Sequence, residues 1–364
     1  MKLILSKEVT DSLNALIAQK NLNRAAADIL NDYLENHYDD IDEELLSLSG
    51  KKDEGEKSAF RHAFFSLVEE EEEECDDRIK TCHLGDFTLL SEEEYKNDPY
   101  YKNIPFRPKR RRDYRLTYNH FSPDEGFVFS ERRSSEADNY AEITPVGYFK
   151  NEFSYPVLRK KDVIWRSVIP HEINTRKKAI SLVKGKVLTF GLGLGYFAYM
   201  ASRKEEVEEV TVIEKDRNII SLFESEILPY FPNKQKIKII HRDCFSFLEQ
   251  RKEDYPFVFI DIYHQAEDAL PLYLRRCEKE KHYPKRKFLY WIEGDILILL
   301  RRYVLTLLEE ASIGYTLKDY ENPSSEEEKI LLALRKKREA EDITTKNDLY
   351  SLLSDEGLRK LVRK

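Results

Sequence analysis

Hydrophobic residues in the second half of the chain fall into short runs. Val187-Leu-Thr-Phe190 leads straight into Gly191-Leu-Gly-Leu-Gly195. Val210-Thr-Val-Ile213, Ile237-Lys-Ile-Ile240 and Phe257-Val-Phe-Ile260 stop at or just before Glu214, Asp243 and Asp261. Runs of this length, rich in β-branched and aromatic residues, predict strands, and Phe257-Val-Phe-Ile260, apolar throughout, predicts one covered on both faces as in a parallel sheet. Helical stretches alternate with them: Tyr196 to Arg203 after the glycines, and Ala266 to Glu280 after the fourth run. A fifth strand, Phe288 to Ile292, and a long helix, Asp295 to Glu310, follow. This alternation predicts an α/β domain with a mostly parallel, doubly wound sheet over residues 170–320.

Before that domain the pattern changes. Leu13, Leu16 and Ile17, then Ala26, Ile29, Leu30 and Leu34, recur at spacings of three and four, the period of a helix burying one face. These two segments predict a helical hairpin turning around Asn21 to Asn23, inside an acidic helical region over residues 1–95. Residues 96–169 carry short β-prone segments, Gly126 to Phe129, Tyr148-Phe149, Phe153 to Val157 and Val163 to Trp165, separated by turn residues. They predict a small antiparallel β subdomain that roofs the neighbouring cleft. Pro170 suits the first turn of a helix that begins there. Residues 321–364 predict a charged helical tail after Asn322-Pro-Ser-Ser325, with Ser325 and Glu328 at capping-box spacing. Gly314 to Leu317 is the one extended segment near the end of the α/β domain.

The chemistry follows from what lies at the strand tips. Glycine permits a tight turn and lets a ligand approach backbone amides closely. Glu214 ends the second strand 23 residues after Gly191, the place where a dinucleotide fold puts an acid on ribose hydroxyls. Asp243 and Asp261 end the third and fourth strands, on the edge where open parallel sheets bind ligands. An acid in such a place also caps helices, and that structural role stands beside the functional one. A nicotinamide fingerprint needs glycine in the sixth place of the loop. Tyr196 stands there instead, which weighs against NAD.

The G-x-G-x-G loop followed by an aromatic, with Glu214, Asp243-Cys-Phe245 and Asp261 behind it, resembles the class I S-adenosylmethionine-dependent methyltransferases over about residues 170 to 315. The resemblance implies a Rossmann-like fold and S-adenosylmethionine as cofactor. It implies Gly191, Gly193, Gly195, Glu214 and Asp243 as cofactor contacts, with Leu192, Tyr196, Lys215, Cys244, Phe245 and Asp261 in the same set. The glycine loop would lie beneath the methionine part, Glu214 on the ribose diol and Asp243 near the adenine. Glu172 and Thr175 would face the methionine end. Within that superfamily the chain is also similar to the polyamine aminopropyltransferase branch. Two marks of that branch are altered: Leu194 stands where it carries an aspartate, and His264 where it carries a second carboxylate. Aminopropyl transfer is therefore the alternative to methyl transfer, and a nucleotide-binding module without catalysis is a third reading. The segment Trp165-Arg-Ser-Val-Ile-Pro-His-Glu-Ile-Asn-Thr175 further resembles one found in uncharacterised bacterial methyltransferase-like proteins.

Methyl transfer requires donor and acceptor held in line, with a base where the acceptor loses a proton. Asp261, Tyr263 and His264 are the catalytic candidates, with Asp261 positioning the acceptor and His264 taking its proton. A hydrogen bond from His264 to a helix end or loop is the structural alternative.

Composition bounds the remainder. With 41% hydrophobic and 35% charged residues the chain suits a globular protein with a heavily charged surface. No apolar run approaches the roughly 20 residues of a membrane helix, and Met1 to Lys7 holds too short an apolar run for a signal segment. Cys75, Cys82, Cys244 and Cys277 lack metal-ligand spacing, so no metal is expected, even with His83 beside Cys82. Scattered cysteines fit a cytoplasmic setting. The acid run Glu69 to Glu74 is expected to be a solvated helix end or loop. Arg107-Pro-Lys-Arg-Arg-Arg112, flanked by Tyr100, Tyr101, Phe106, Tyr114 and Tyr118, is the best argument for a nucleic-acid partner. A second basic stretch runs from Arg275 to Lys287. The net charge of −8 argues against a broad basic footprint, so a small-molecule acceptor is preferred. The charged tail leaves a homodimer open.

Overall fold

The computed structural model describes residues 4, 6–38, 40–49, 56–71, 79, 87–250, 255–280, 282–316, 323–338 and 342–364. At its centre lies a five-stranded, wholly parallel sheet. Its strands are β1 (Gly185–Phe190), β2 (Val207–Glu214), β3 (Ile237–His241), β4 (Phe257–Ile260) and β5 (Lys287–Tyr290). They run in the spatial order 3-2-1-4-5, with β1 hydrogen-bonded to both β2 and β4. The associated helices are α1 (Pro170–Leu182), α2 (Tyr196–Ser202), α3 (Arg217–Glu226), α4 (Cys244–Gln250), α5 (Ala266–Glu280) and α6 (Glu293–Ser312). Strand order reverses between β1 and β4, and right-handed crossovers then send helices to opposite faces. This is the mixed α/β, Rossmann-like arrangement expected from the alternating pattern.

Burial follows strand position. Val187, Leu188, Thr189 and Phe190 on the central β1 are all buried, whereas no residue of the edge strand β3 is. The expected fifth strand ends at Tyr290, because Ile292 turns into the left-handed region with φ 46° before α6 begins. Among the described residues the sheet has no sixth strand. Gly314 to Thr316 lie in the turn and coil after α6, and Leu317 is outside the described residues.

A four-stranded antiparallel sheet packs beside this domain, in the order Lys109–Arg111, Tyr114–Phe121, Phe153–Lys160, Val163–Ser167. Phe87–Leu89, inside the stretch read as helical, is instead a strand paired in parallel with Val146–Tyr148. The helices Glu326–Arg338, Lys346–Leu353 and Asp355–Arg363 pack on the core: Leu349, Leu353, Leu358, Leu361 and Val362 are buried in the same cluster as the parallel sheet. Ser325 and Glu328 form the expected capping box, with reciprocal bonds of 3.1 and 3.3 Å. No helix among the described residues is long and apolar enough to cross a membrane. Cys75, Cys82, His83 and the acidic positions 72–74 lie outside the described residues.

The N-terminal hairpin is corrected. Lys7–Asn36 is one continuous 30-residue helix. No glycine or proline interrupts it, and Asn23 is bound by tertiary partners in place of a turn. Its side chain donates to Tyr140 O (2.8 Å) and Glu142 Oε1 (3.2 Å) and accepts from Glu142 N (3.1 Å). Glu142 in turn pairs with Arg302 of α6. Val9, Leu13 and Leu16 join the main core, while Ala26, Leu30 and Tyr33 join a second cluster with Phe60, Phe64 and Phe87. The helix therefore spans two cores, with the Asn23 network at the joint. Asn23→Leu leaves buried partners unsatisfied, so denaturant unfolding is expected to show a loss of about 1–3 kcal/mol.

Glu131, beside Asp295 and the Gly294 amide at the start of α6, has its carboxyl pushed up to about 7, first by burial and then by the Asp295 charge. Its folded-state pKa lies above the unfolded value, so the folded chain holds the extra proton and stability falls as pH rises from about 4.5 through about 7. Glu131→Gln is expected to flatten the pH dependence of denaturant stability in that window. The change should be on the order of 1–3 kcal/mol at pH 8.

Candidate functional site

The turn after β1 is built from backbone that only glycine adopts cheaply. Gly191, Gly193 and Gly195 have φ of 88°, 53° and 79°. Two of them are also sterically required. A Cβ at Gly191 would stand 2.1 Å from the Asp261 carbonyl oxygen, and one at Gly195 would stand 2.3 Å from the Phe223 ring. Gly193 differs, since a Cβ there would meet only the Arg166 stem at 3.5 Å. Helix Pro99–Asn103 braces the turn from outside: Tyr100 donates its hydroxyl to Leu194 O, and Tyr196 donates to Asp98 Oδ2 at 3.0 Å. Tyr196 is thus buried against this brace.

Glu214 ends β2 with its carboxylate over the turn. Oε2 accepts from Leu192 N at 3.1 Å and Oε1 from Asp216 N at 2.8 Å. Both oxygens keep lone pairs for a further donor. Asp243 Oδ1 accepts from the amides of Phe245 and Ser246 at 3.1 and 3.0 Å, the helix-capping role allowed for in sequence. Cys244 is buried with its thiol pushed up to about 11 by burial, so it stays a neutral thiol. Lys215 lies beside Glu214, its carbonyl held by His241 Nε2 at 3.1 Å.

These groups share a cavity of about 420 Å³ bounded by the glycine turn, the β2 to β4 tips and the antiparallel sheet. Tyr114, Lys160, Trp165 and Arg166 supply the roof. Tyr114 is fastened to the floor, its hydroxyl donating to Asp216 Oδ2 at 2.7 Å. Phe245 presents a half-exposed ring to the cavity.

At the β4 tip the structure adds a residue that sequence reasoning missed. Arg176 of α1, 4% exposed, donates from Nε (3.1 Å) and Nη2 (2.7 Å) to the same Asp261 oxygen, Oδ2. Its Nη1 lies 3.5 Å from Glu172 Oε2, and Trp291 covers the guanidinium at 4.7 Å. The pairing of Glu172 and Arg176 four apart on a helix was the signal available in sequence. Burial pushes the Glu172 carboxyl up. Asp261 Oδ1 is buried without a hydrogen-bond partner, and Asp261 lines an inner recess of about 20 Å³ with Arg176, Glu172 and the glycine turn. That volume admits about one small polar group.

Three candidates have their hydrogen-bonding groups engaged within the fold. Tyr263 is buried and donates its hydroxyl to Trp291 O at 2.5 Å, on the core side of the strand. Burial also drives its pKa far above the usual tyrosine range. Thr175 receives the Trp291 indole N–H at 2.8 Å and donates to His171 O at 2.7 Å, so it holds Trp291 in place and does not line the cavity. His264 does line the cavity, but its Nδ1 stands 2.6 Å from Arg166 Nη1. Arginine can only donate, so this nitrogen is the acceptor and the remaining ring nitrogen carries the proton. Burial, then the Arg166 charge, lowers the His264 pKa. His264 is therefore a neutral ring whose basic nitrogen is already occupied.

A second, wider cleft of about 700 Å³ opens between the N-terminal helix and α6, and His264 lies on its wall as well. The basic run is partly accounted for. Lys109–Arg111 is the exposed outer strand of the antiparallel sheet, Lys109 pairs with Glu226 at 3.6 Å, and Tyr100, Phe106 and Tyr114 are buried.

No family model and no curated protein matches the chain. Among solved structures it is similar to a Klebsiella pneumoniae protein provisionally described as an O-methyltransferase, at 14% identity and TM-score 0.26, over 45% of this chain and 64% of that one. It is also similar to spermidine synthase from Thermotoga maritima, at 15% identity and TM-score 0.29, over 42% of this chain and 58% of that one. The chain thus spans less than two thirds of the length of either.

Removing Arg176 would leave Asp261 and Glu172 buried together without their cation. Arg176→Met is expected to lose about 3–5 kcal/mol in denaturant unfolding. The double variant with Asp261→Asn should recover part of that loss, since it removes one of the stranded charges.

Proposed function

We propose that the cavity binds S-adenosylmethionine and that the protein is a methyltransferase. The observation that carries this reading is Glu214, tied to the Leu192 amide of the glycine turn and left with free lone pairs over a cavity of ligand size. Bound there, the cofactor would supply an activated methyl group. Glu214 accepts hydrogen bonds from the ribose hydroxyls, and Asp243, Cys244 and Phe245 at the β3 tip bound the base. Gly191, Gly193 and Gly195 let the rest of the molecule lie against the turn. Trp165 and Arg166 cover it from above and exclude water.

The transfer itself asks chiefly for alignment of donor and acceptor. His264, with its acceptor nitrogen engaged by Arg166, contributes a wall and an Nε2–H donor; the reading does not rest on it as a base. Asp261, fixed by Arg176, contributes a rigid carboxylate oxygen at the reacting end. The acceptor is a small molecule that approaches through the wider cleft, whose volume falls in the usual range for such ligands. Two features disfavour the polyamine alternative. Leu194 is buried where that branch has its aspartate, and His264 stands where it has its second carboxylate.

Calorimetry should show binding of S-adenosylmethionine and none of NAD. Glu214→Gln should weaken the former about 10–100-fold, the span of losing hydrogen bonds to a charged group. A clear preference for NAD would sink the proposal. Binding without methyl transfer to any component of a cell extract would favour a non-catalytic module.

A further inference from the structure

One end of the four-stranded antiparallel sheet carries charge that the fold does not neutralise. Its two hairpin turns, Arg112-Asp113 and Lys161-Asp162, lie side by side, joined by a hydrogen bond from Lys161 N to Asp113 O at 2.6 Å. Residues 110–115 and 159–164 together hold seven cations and two acids. Among the described residues none of the seven forms an ion pair with a carboxylate. Lys109, one position earlier, is by contrast paired with Glu226 at 3.6 Å.

Strand register sets these side chains in two rows. Arg110 stands opposite Arg115, Arg115 opposite Arg159, and Arg159 opposite Ile164. The next row runs Arg111, Tyr114, Lys160, Val163. Neighbouring strands lie about 4.8 Å apart, so the three arginines of the first row repel one another directly. Their hydrogen bonds bring no negative charge: Arg159 donates to Asp162 O at 2.9 Å and Asn119 Oδ1 at 3.4 Å, and Arg110 to Arg112 O at 3.2 Å. Successive strand positions point to opposite faces, so cations occupy both faces of this sheet end. Each row finishes on an aliphatic side chain open to solvent, with Ile164 38% and Val163 69% exposed.

We infer that this sheet end docks on an anionic membrane surface, with Val163 and Ile164 entering the headgroup region and the surrounding cations meeting lipid phosphates and carboxylates. Apolar burial and electrostatic attraction are each weak anchors alone and act together at such a tip. Arginine and lysine stems lie along the apolar region while their charged ends reach the headgroups. A nucleic acid is the other polyanion of suitable charge, and it is served by a basic groove with exposed rings on which bases stack. Here the cations flank both faces of a tip. Tyr114 is buried with its hydroxyl on Asp216, and Trp165 lies under Lys160 Nζ at 4.8 Å. Tyr118, though exposed, stands further along the strand, opposite Pro156. Tyr114, Lys160 and Trp165 also roof the main cavity, so docking sets that roof at the membrane surface. Docking of this kind does not depend on what the cavity binds.

The test is flotation of the full chain with vesicles of phosphatidylcholine alone and of equal parts phosphatidylcholine and phosphatidylserine, at low and at raised salt. The parent is expected to bind the anionic vesicles at least about tenfold more tightly than the neutral ones, and to lose most of that preference in raised salt. The double variant Arg110→Gln with Arg115→Gln should weaken anionic binding about 10–30-fold. Val163→Ser with Ile164→Ser should weaken it about 3–30-fold at either salt. Thermal melts report that each variant is folded. Should the arginine pair melt below the working temperature, Arg112→Gln with Lys161→Gln, in the two turns, carries the same expectation. Absence of binding to anionic vesicles, or binding that either the cation variant or the aliphatic variant leaves unchanged, overturns the membrane assignment. Fluorescence anisotropy with a single-stranded RNA oligonucleotide is the opposing arm. RNA binding that the cation variant weakens and the aliphatic variant leaves intact, in a protein that ignores the vesicles, reassigns the tip to nucleic acid.

Discussion

The site depends on how closely the chain passes itself at the ends of β1 and β4. Gly191 leaves β1 with its α-carbon so near the Asp261 carbonyl that no side chain fits between them. The Asp261 N–H is at the same time bonded to Phe190 O at 3.0 Å. These contacts pin the glycine turn to the tip of the neighbouring strand, at the point where strand order reverses. They also fix where the Asp261 side chain begins. Arg176 then fixes where it ends, by holding one carboxylate oxygen and leaving the other free. A pocket with one committed and one uncommitted oxygen follows from these two constraints.

Around that point, charges sort into those that hold the fold and those that face the cavity. Arg176, Glu172 and Asp261 Oδ2 form a buried group satisfied from within, under the Trp291 ring. Asn23, Glu142 and Arg302 do the same at the joint of the two cores. Buried polar groups of this kind are costly to break and contribute modestly when whole. Their value is in fixing geometry: the first sets the β4 tip, and the second sets the N-terminal helix across the mouth of the wider cleft. Asp261 Oδ1 is the polar atom left without a partner at the turn, and it is there that ligand chemistry can act.

Much of the central domain was legible in the sequence because its signals are local. A strand buried on both faces must be apolar throughout, and a turn with three positive φ angles must use glycine. Glu214 could be placed from the order strand, turn, helix, strand. The strand β3 was legible for the same reason, though not its place at the sheet edge, and helix capping was one of the two roles the sequence allowed Asp243. The errors came where local pattern allowed two outcomes. Asn21 to Asn23 suits a turn as well as a helix, and only partners 117 and 119 residues away, Tyr140 and Glu142, decided for the helix. Tyr263 and His264 follow Asp261 immediately, yet one points into the core and the other onto Arg166.

By itself, then, the chain determined the parallel sheet, the glycine turn and the acids at its strand tips, since each follows from backbone conformation and burial within a few residues. Tertiary structure decided which of those acids is free. Asp261, Glu172, Arg176 and Arg166 are spread over nearly 100 positions and come from two strand ends and a helix. Whether a carboxylate is paired depends on distances of a few ångströms between such segments. Those distances are set by the packing of the antiparallel sheet and α1 onto the glycine turn, which no spacing along the sequence records.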